Sequence, residues 1–150
     1  GSRHIGRLPG ARVNRSTAQT LANATFTAMA YDTERWDSDG LFDPGVATRL
    51  TCRTAGRYAV FAHLTFATNA GGARIAYITR GASQVQVAAD ERLPAPAGVG
   101  TSISLGTVVT LAVGDYLEVL AYQTSGGSLD VLASSTERTN EFVAQWIGRA

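Results

Sequence analysis

The sequence predicts an all-β protein: an antiparallel sandwich or barrel of about eight to ten short strands. Three observations predict it. From Thr25 onward apolar residues recur with a period near two, and no segment sustains the ~3.6 period of an amphipathic helix. Turn signals rich in Gly, Asn, Pro and Ser interrupt the pattern roughly every 8–12 residues. Apolar residues make up 45% and charged residues 17% of 150 residues, enough to build one domain around its own core.

Residues 1–15 carry four arginines, glycines and a proline without periodicity. They are expected to form an N-terminal arm, a linker led by Gly1-Ser2 as a tag scar, with the domain proper over 16–150. "TFTAMAY" (25–31) alternates, with Phe26, Ala28 and Ala30 on one side. Strands are then expected at 48–52, 57–67, 73–80, 83–89, 102–112, 116–124, 129–133 and 141–148. The turns between them fall at 69–72, 80–81, 94–100, 114–115 and 125–127. The strand at 57–67 is the most informative. Tyr58, Val60, Ala62, Leu64 and Phe66 share one wholly apolar face, while Phe61 sits among Arg57, Ala59, His63 and Thr65 on the other. The strand at 141–148 does the same, with Phe142, Ala144 and Trp146 on one face and Val143 and Ile147 on the other. Apolar residues on both faces of a sheet with no helix to cover it point to a second subunit as the cover.

The formal net charge of +1 gives no basis for binding nucleic acid or an anionic membrane. All 13 basic residues are arginine, so lysine chemistry is excluded. One cysteine, Cys52, excludes an intrachain disulfide and any multi-cysteine zinc site, and it is expected as a buried thiol. No apolar run approaches the ~20 residues of a membrane-spanning helix.

The stretch "YDTERWDSDGLFDPG" (31–45) looks most like a site, with five acidic residues in a dozen positions. Asp37, Asp39 and Asp43 are weak calcium candidates, because Asp37-Ser-Asp39-Gly40 begins like an acidic calcium loop. The pattern lacks the closing glutamate and flanking helices of an EF-hand. The competing reading is a polar excursion whose aspartates cap turns and pair with Arg35 or Arg49. Tyr31, Trp36 and Phe42 flank the carboxylates, as rings flank them in sugar sites or as core residues do. Nucleophilic catalysis has little to build on. His4 lies in the arm, His63 lies in a strand, and no Gly-x-Ser-x-Gly elbow occurs. No catalytic residue and no resident cofactor are expected.

Tyr31, Asp37 and Phe42, followed by Leu50, Gly56, Tyr58 and Val60, resemble the signature of the globular head of complement component 1q and its tumour necrosis factor-like relatives. Leu111, Gly114, Asp115 and Leu117 resemble a further motif of the family, and Phe142, Ala144 and Trp146 fill its last strand. Tyr31 and Leu50 stand where phenylalanines are usual, Val60 replaces an aromatic, and one extra residue separates Phe42 from Leu50. The wording of 11–43 and 49–72 is similar to jelly-roll modules in virion proteins of tailed bacteriophages, in fibres or tail-associated parts. The resemblance implies an antiparallel jelly-roll sandwich of about ten strands that assembles as a homotrimer. It places Tyr31, Phe42, Leu50, Gly56, Tyr58, Val60, Phe142 and Trp146 in the fold's core signature. It makes Phe61, His63, Val143 and Ile147 candidates for the trimer interface. It implies a non-enzymatic structural or recognition module at a virion surface or outside cells, with a host cell-surface glycan or protein as candidate ligand, and no nucleic acid or membrane insertion. A bacterial adhesion module of the same fold, and the trimerisation domain of a glycan-degrading enzyme, are the alternatives.

Overall fold

A computed structural model describes residues 7–150, so His4 lies outside the described residues. The chain forms twelve strands there: β1 Gly10–Asn14, β2 Gln19–Leu21, β3 Thr27–Ala28, β4 Thr33–Asp37, β5 Leu50–Thr51, β6 Gly56–Phe66, β7 Arg74–Arg80, β8 Val85–Arg92, β9 Thr101–Leu111, β10 Tyr116–Gln123, β11 Leu129–Val131 and β12 Glu141–Gly148. All their pairings are antiparallel. A seven-stranded sheet runs β2-β11-β6-β12-β1-β4, with β9 on the free side of β6. A five-stranded sheet runs β3-β10-β7-β8, with β5 also on β10. The two sheets face each other as a jelly-roll sandwich.

The core follows from the alternation. Tyr58, Val60, Ala62, Leu64 and Phe66 of β6 are all buried, and Ile103, Leu105, Val109 and Leu111 of β9 join them. From the other sheet come Ala76, Ile78, Leu117, Val119 and Ala121. The long strands β6 and β9 thus give close to every second side chain to one apolar interior. Tyr31, Phe42, Leu50 and Phe142 are buried as the signature implies, and Tyr31 packs on Phe142 with ring centroids 5.7 Å apart. Trp146 is only half-buried, at the margin of the core. It spans the end of β6 instead, and its indole Nε1 donates to the Ala55 carbonyl at 3.2 Å. That position requires Gly56, since a Cβ there would lie 2.2 Å from Trp146 Nε1.

Two expectations change. Part of the expected arm is sheet, because β1 pairs with β12 on one side and β4 on the other, and Ala11 and Val13 are fully buried. A five-residue strand offers too few periods to stand out between glycine and arginine. The acidic stretch contains a strand of its own, β4, at the sheet edge. A register shift between Arg12 and Val13 marks its pairing to β1 and leaves Arg35 between paired positions. Along 25–31 the buried side belongs to Met29 and Tyr31, so Phe26, Ala28 and Ala30 point out of the sandwich.

Candidate functional site

The acidic stretch separates into individual hydrogen-bonding tasks. Asp37 Oδ1 accepts from the backbone amides of Asp39 at 3.3 Å and Leu41 at 3.0 Å, and Oδ2 accepts from Phe42 N at 2.9 Å. This one carboxylate shapes the turn that brings Phe42 back to bridge Leu50. Asp39 accepts from Thr54 Oγ1 at 2.9 Å. Asp43 caps the short 3-10 turn Pro44–Val46 by accepting from Gly45 N at 2.8 Å. Asp32 holds Ser16 through both its amide and its hydroxyl. Among the described residues no three His, Cys, Asp or Glu side chains gather as a metal site would need. Arg35 and Arg49 do not pair with these aspartates. Arg35 Nε bonds Glu141 Oε1 at 2.7 Å, and Arg49 lies 4.0 Å from Glu118 and stacks on Tyr116. Tyr31 and Phe42 are core, while Trp36 stays exposed on the outward face of the larger sheet.

That outward face gathers all four predicted interface residues. In cross-strand register Arg12, Val143, Phe61 and Gly106 form one row, and Gln145, Ala59 and Val108 form the next. Phe61, Val108, Ile147 and Trp36 are exposed by 46%, 55%, 52% and 41%, large values for apolar side chains at the middle and margins of one sheet. Two close approaches shape the face. A Cβ on Gly106 would lie 2.3 Å from the Phe61 ring, and one on Gly10 would lie 3.0 Å from the Trp36 ring. Phe61 therefore occupies the space over Gly106, and the edge of the Trp36 ring reaches the space over Gly10.

One end of the same face is polar. Glu141 is fully buried, and its carboxylate accepts from Arg12 Nε at 2.8 Å, from Arg35 Nε and Nη2 and from Ser134 Oγ. Burial pushes its carboxyl upward, but the bonds from Arg35, Ser134 and Arg12 outweigh this and hold it below the ordinary carboxylate value. His63 pairs in register with Glu141 and shares a 2.9 Å contact between Nδ1 and Ser104 Oγ. Burial, with the Arg12 charge behind it, lowers the histidine below its usual value, against a smaller upward pull from Glu141. No carboxylate orients that Ser104–His63 pair, since Glu141 is committed to the two arginines. The geometry is a packed polar contact and not a triad.

The loops 69–72, 94–100 and 125–127 meet at one end of the sandwich. Ala73 N donates to Thr124 Oγ1, Gly126 N donates to Asn23 Oδ1, and Gly100 approaches the end of β6 at Phe66. Sequence reading missed what holds this end together. Arg74 is fully buried, and its guanidinium donates to the carbonyls of Asn69, Gly71 and Ala73 at 2.8–2.9 Å. Its register partner Gln123, also buried, donates to the carbonyls of Leu21 and Gly127 and accepts from Ser125 N. Two polar residues in apolar strands were the available signal.

The outward face of the smaller sheet is different again. Phe26 stacks on Tyr122 at 4.4 Å and on Tyr77 at 5.4 Å. Beside it opens a cavity of about 250 Å³ lined by Phe26, Tyr77, Thr79, Gln84, Gln86 and Leu120.

No protein-family model matches the chain, and no curated protein sequence matches it. Solved structures do. The globular domain of zebrafish complement 1qA protein superimposes with a TM-score of 0.66 at 17% identity, covering 95% of this chain and 99% of that one. Eiger, a tumour necrosis factor from S. frugiperda, superimposes at 0.67 with 12% identity, covering 95% and 94%. The chain has the complement 1q/tumour necrosis factor-like jelly-roll fold. Among the described residues no helix is long and apolar enough to cross a membrane.

Proposed function

We propose that this protein is a non-enzymatic homotrimeric recognition module, assembled through the outward face of its seven-stranded sheet. The observation that carries this is the face itself: Phe61, Val108, Ile147 and Trp36 exposed on one sheet, two of them against glycines, with no helix among the described residues to cover them. An apolar face with a polar patch of Glu141, Arg12 and His63 at one end suits further copies of this chain packed around a three-fold axis better than water. The fold shared with complement 1qA and Eiger supports the reading, and so does the resemblance of the signature residues. Assembly on this face leaves the clustered loops 69–72, 94–100 and 125–127 at one end free for a ligand. The resemblance of the N-terminal half to tailed-phage modules makes the setting a virion protein that meets a host cell surface, so the module works outside cells.

Light scattering and sedimentation at micromolar concentration test the assembly. The expected mass is three times the 15.7 kDa of one chain. A single-chain mass for the wild-type protein overturns the reading.

A further inference from the structure

We propose that the cavity beside Phe26 is a binding site for one neutral hexopyranose unit. It deepens the recognition reading by naming a ligand class, and it rests on that reading only for its biological use. The chemistry comes from the lining. Phe26 is backed by Tyr122 and Tyr77, which fixes its plane, yet 47% of Phe26 remains exposed. A ring held in place by two neighbours and still about half exposed offers apolar surface for the C–H groups of a pyranose, which pack on an aromatic quadrupole. The rings stack directly on one another, with centroids 4.4 and 5.4 Å apart, so no slot is left between them for the two-sided clamp that a nucleobase favours.

The polar lining matches as well. Gln84 and Gln86 each present a carboxamide, donor and acceptor on one group, which is what a run of sugar hydroxyls requires. Among the described residues no charged side chain lines the cavity, which favours a neutral ligand. Thr79 forms part of the wall, and its buried hydroxyl has no hydrogen-bond partner. Gln84 is held at a φ of 51°, a left-handed conformation that a non-glycine residue adopts at a cost. Its amide closes the β7–β8 turn on the Gly81 carbonyl at 3.0 Å, and this turn carries its side chain to the rim. At about 250 Å³ the cavity is slightly smaller than the ~300–1,000 Å³ of drug-sized sites, a match for a single ring.

The site sits on the sheet opposite the proposed assembly face. Three copies of it would face outward from a trimer, so weak single-site affinity would be raised by multivalency. It lies towards the β7–β8 turn, away from the clustered loops.

The experiment is a chemical-shift titration of the wild-type protein with the methyl pyranosides of glucose, galactose, mannose and N-acetylglucosamine to tens of millimolar, with glucuronic acid as the charged comparison. At least one neutral sugar is expected to shift the amides of Tyr77, Thr79, Gln84 and Gln86 with millimolar affinity, with no response to glucuronic acid. Phe26→Ala is expected to weaken binding tenfold or more, and Leu93→Ala, at an exposed residue beyond the far end of β8, to leave it unchanged. Gln86→Ala, on an exposed side chain that does not threaten folding, is expected to weaken it several-fold. No response to any of the neutral sugars overturns the proposal, as do shifts confined to the loops 69–72, 94–100 and 125–127, or binding indifferent to Phe26→Ala and Gln86→Ala. Light scattering on the same sample reports the trimer separately, so failure of the sugar site and failure of the assembly are told apart.

Discussion

On the outward side of the seven-stranded sheet, apolar side chains are spread thin, two of them against glycines. On the outward side of the five-stranded sheet, they are gathered into a stack with a hollow beside it. Both faces arise from the same alternation, in which the side chains not needed for the core point away from it. Glycine placement and strand length separate them. On the larger sheet Gly106 and Gly10 leave space for Phe61 and the edge of Trp36. On the smaller sheet no glycine stands under Phe26, and its ring rests on Tyr77 and Tyr122. A broad apolar surface suits a large partner, and a hollow beside a fixed ring suits a small one.

The largest expected effect breaks the broad face. Phe61→Glu places a charge in the middle of the proposed interface, and the mass by light scattering is expected to fall from three chains to one while far-ultraviolet dichroism keeps its strand signature. Phe61 is half-exposed in the single chain, so the fold itself has little to lose. A variant that remains trimeric places assembly elsewhere.

Next comes the polar end of that face. Glu141→Ala leaves Arg12 and Arg35 without the carboxylate they share, and both arginines are partly open to solvent, which softens the loss. The expected destabilisation is about 2 kcal/mol by chemical unfolding, below the ~3–5 kcal/mol of a fully buried pair. The same residues set a pH dependence. His63 has a folded value below its ordinary 6.5, so the unfolded chain takes the proton first, and stability falls as pH drops below about 6.5. Glu141 has a folded value below 4.5, so its contribution is complete above 4.5 and is lost as pH falls through the folded value. Both act in the same direction, and a thermal-melt series from pH 7 to 3 is expected to decline in two stages. His63→Gln is expected to remove the first stage alone.

A smaller effect probes the glycine contact. Gly106→Ala forces the Phe61 ring to shift, and trimer dissociation on dilution is expected to begin at higher concentration, by about 1–2 kcal/mol per interface. The smallest expectation concerns the acidic stretch. Millimolar calcium is expected to leave the melting temperature unchanged, because Asp37, Asp39 and Asp43 each serve a separate hydrogen-bonding task. A rise of several degrees returns calcium to the site.

Most of the strand ladder was legible. The eight strands expected from 48 onward all appear, with ends displaced by a few residues, because long alternating runs report burial directly. The short strands β1, β2 and β4 were not, since three to five residues carry too few periods, and two of them lie among charged residues. The core signature was legible at Tyr31, Phe42, Leu50, Tyr58, Val60 and Phe142, and only partly at Trp146, which covers the sheet's end. The outward placement of Phe61, His63, Val143 and Ile147 was legible from parity alone. The pairing of Arg35 with Glu141 was not, because 106 residues separate them and the expected partners lay nearby in sequence.

The sequence by itself determined the fold class and which side of each long strand faces the core, because a period of two leaves one burial pattern for an antiparallel sandwich. Only the tertiary structure decided which outward side chains meet. Phe61 lies on Gly106, Glu141 is shared by Arg12 and Arg35, and Phe26, Tyr77 and Tyr122 come together from three strands. Each of those meetings depends on the register between strands distant in the chain, and a shift of one residue would turn the side chains to the opposite face.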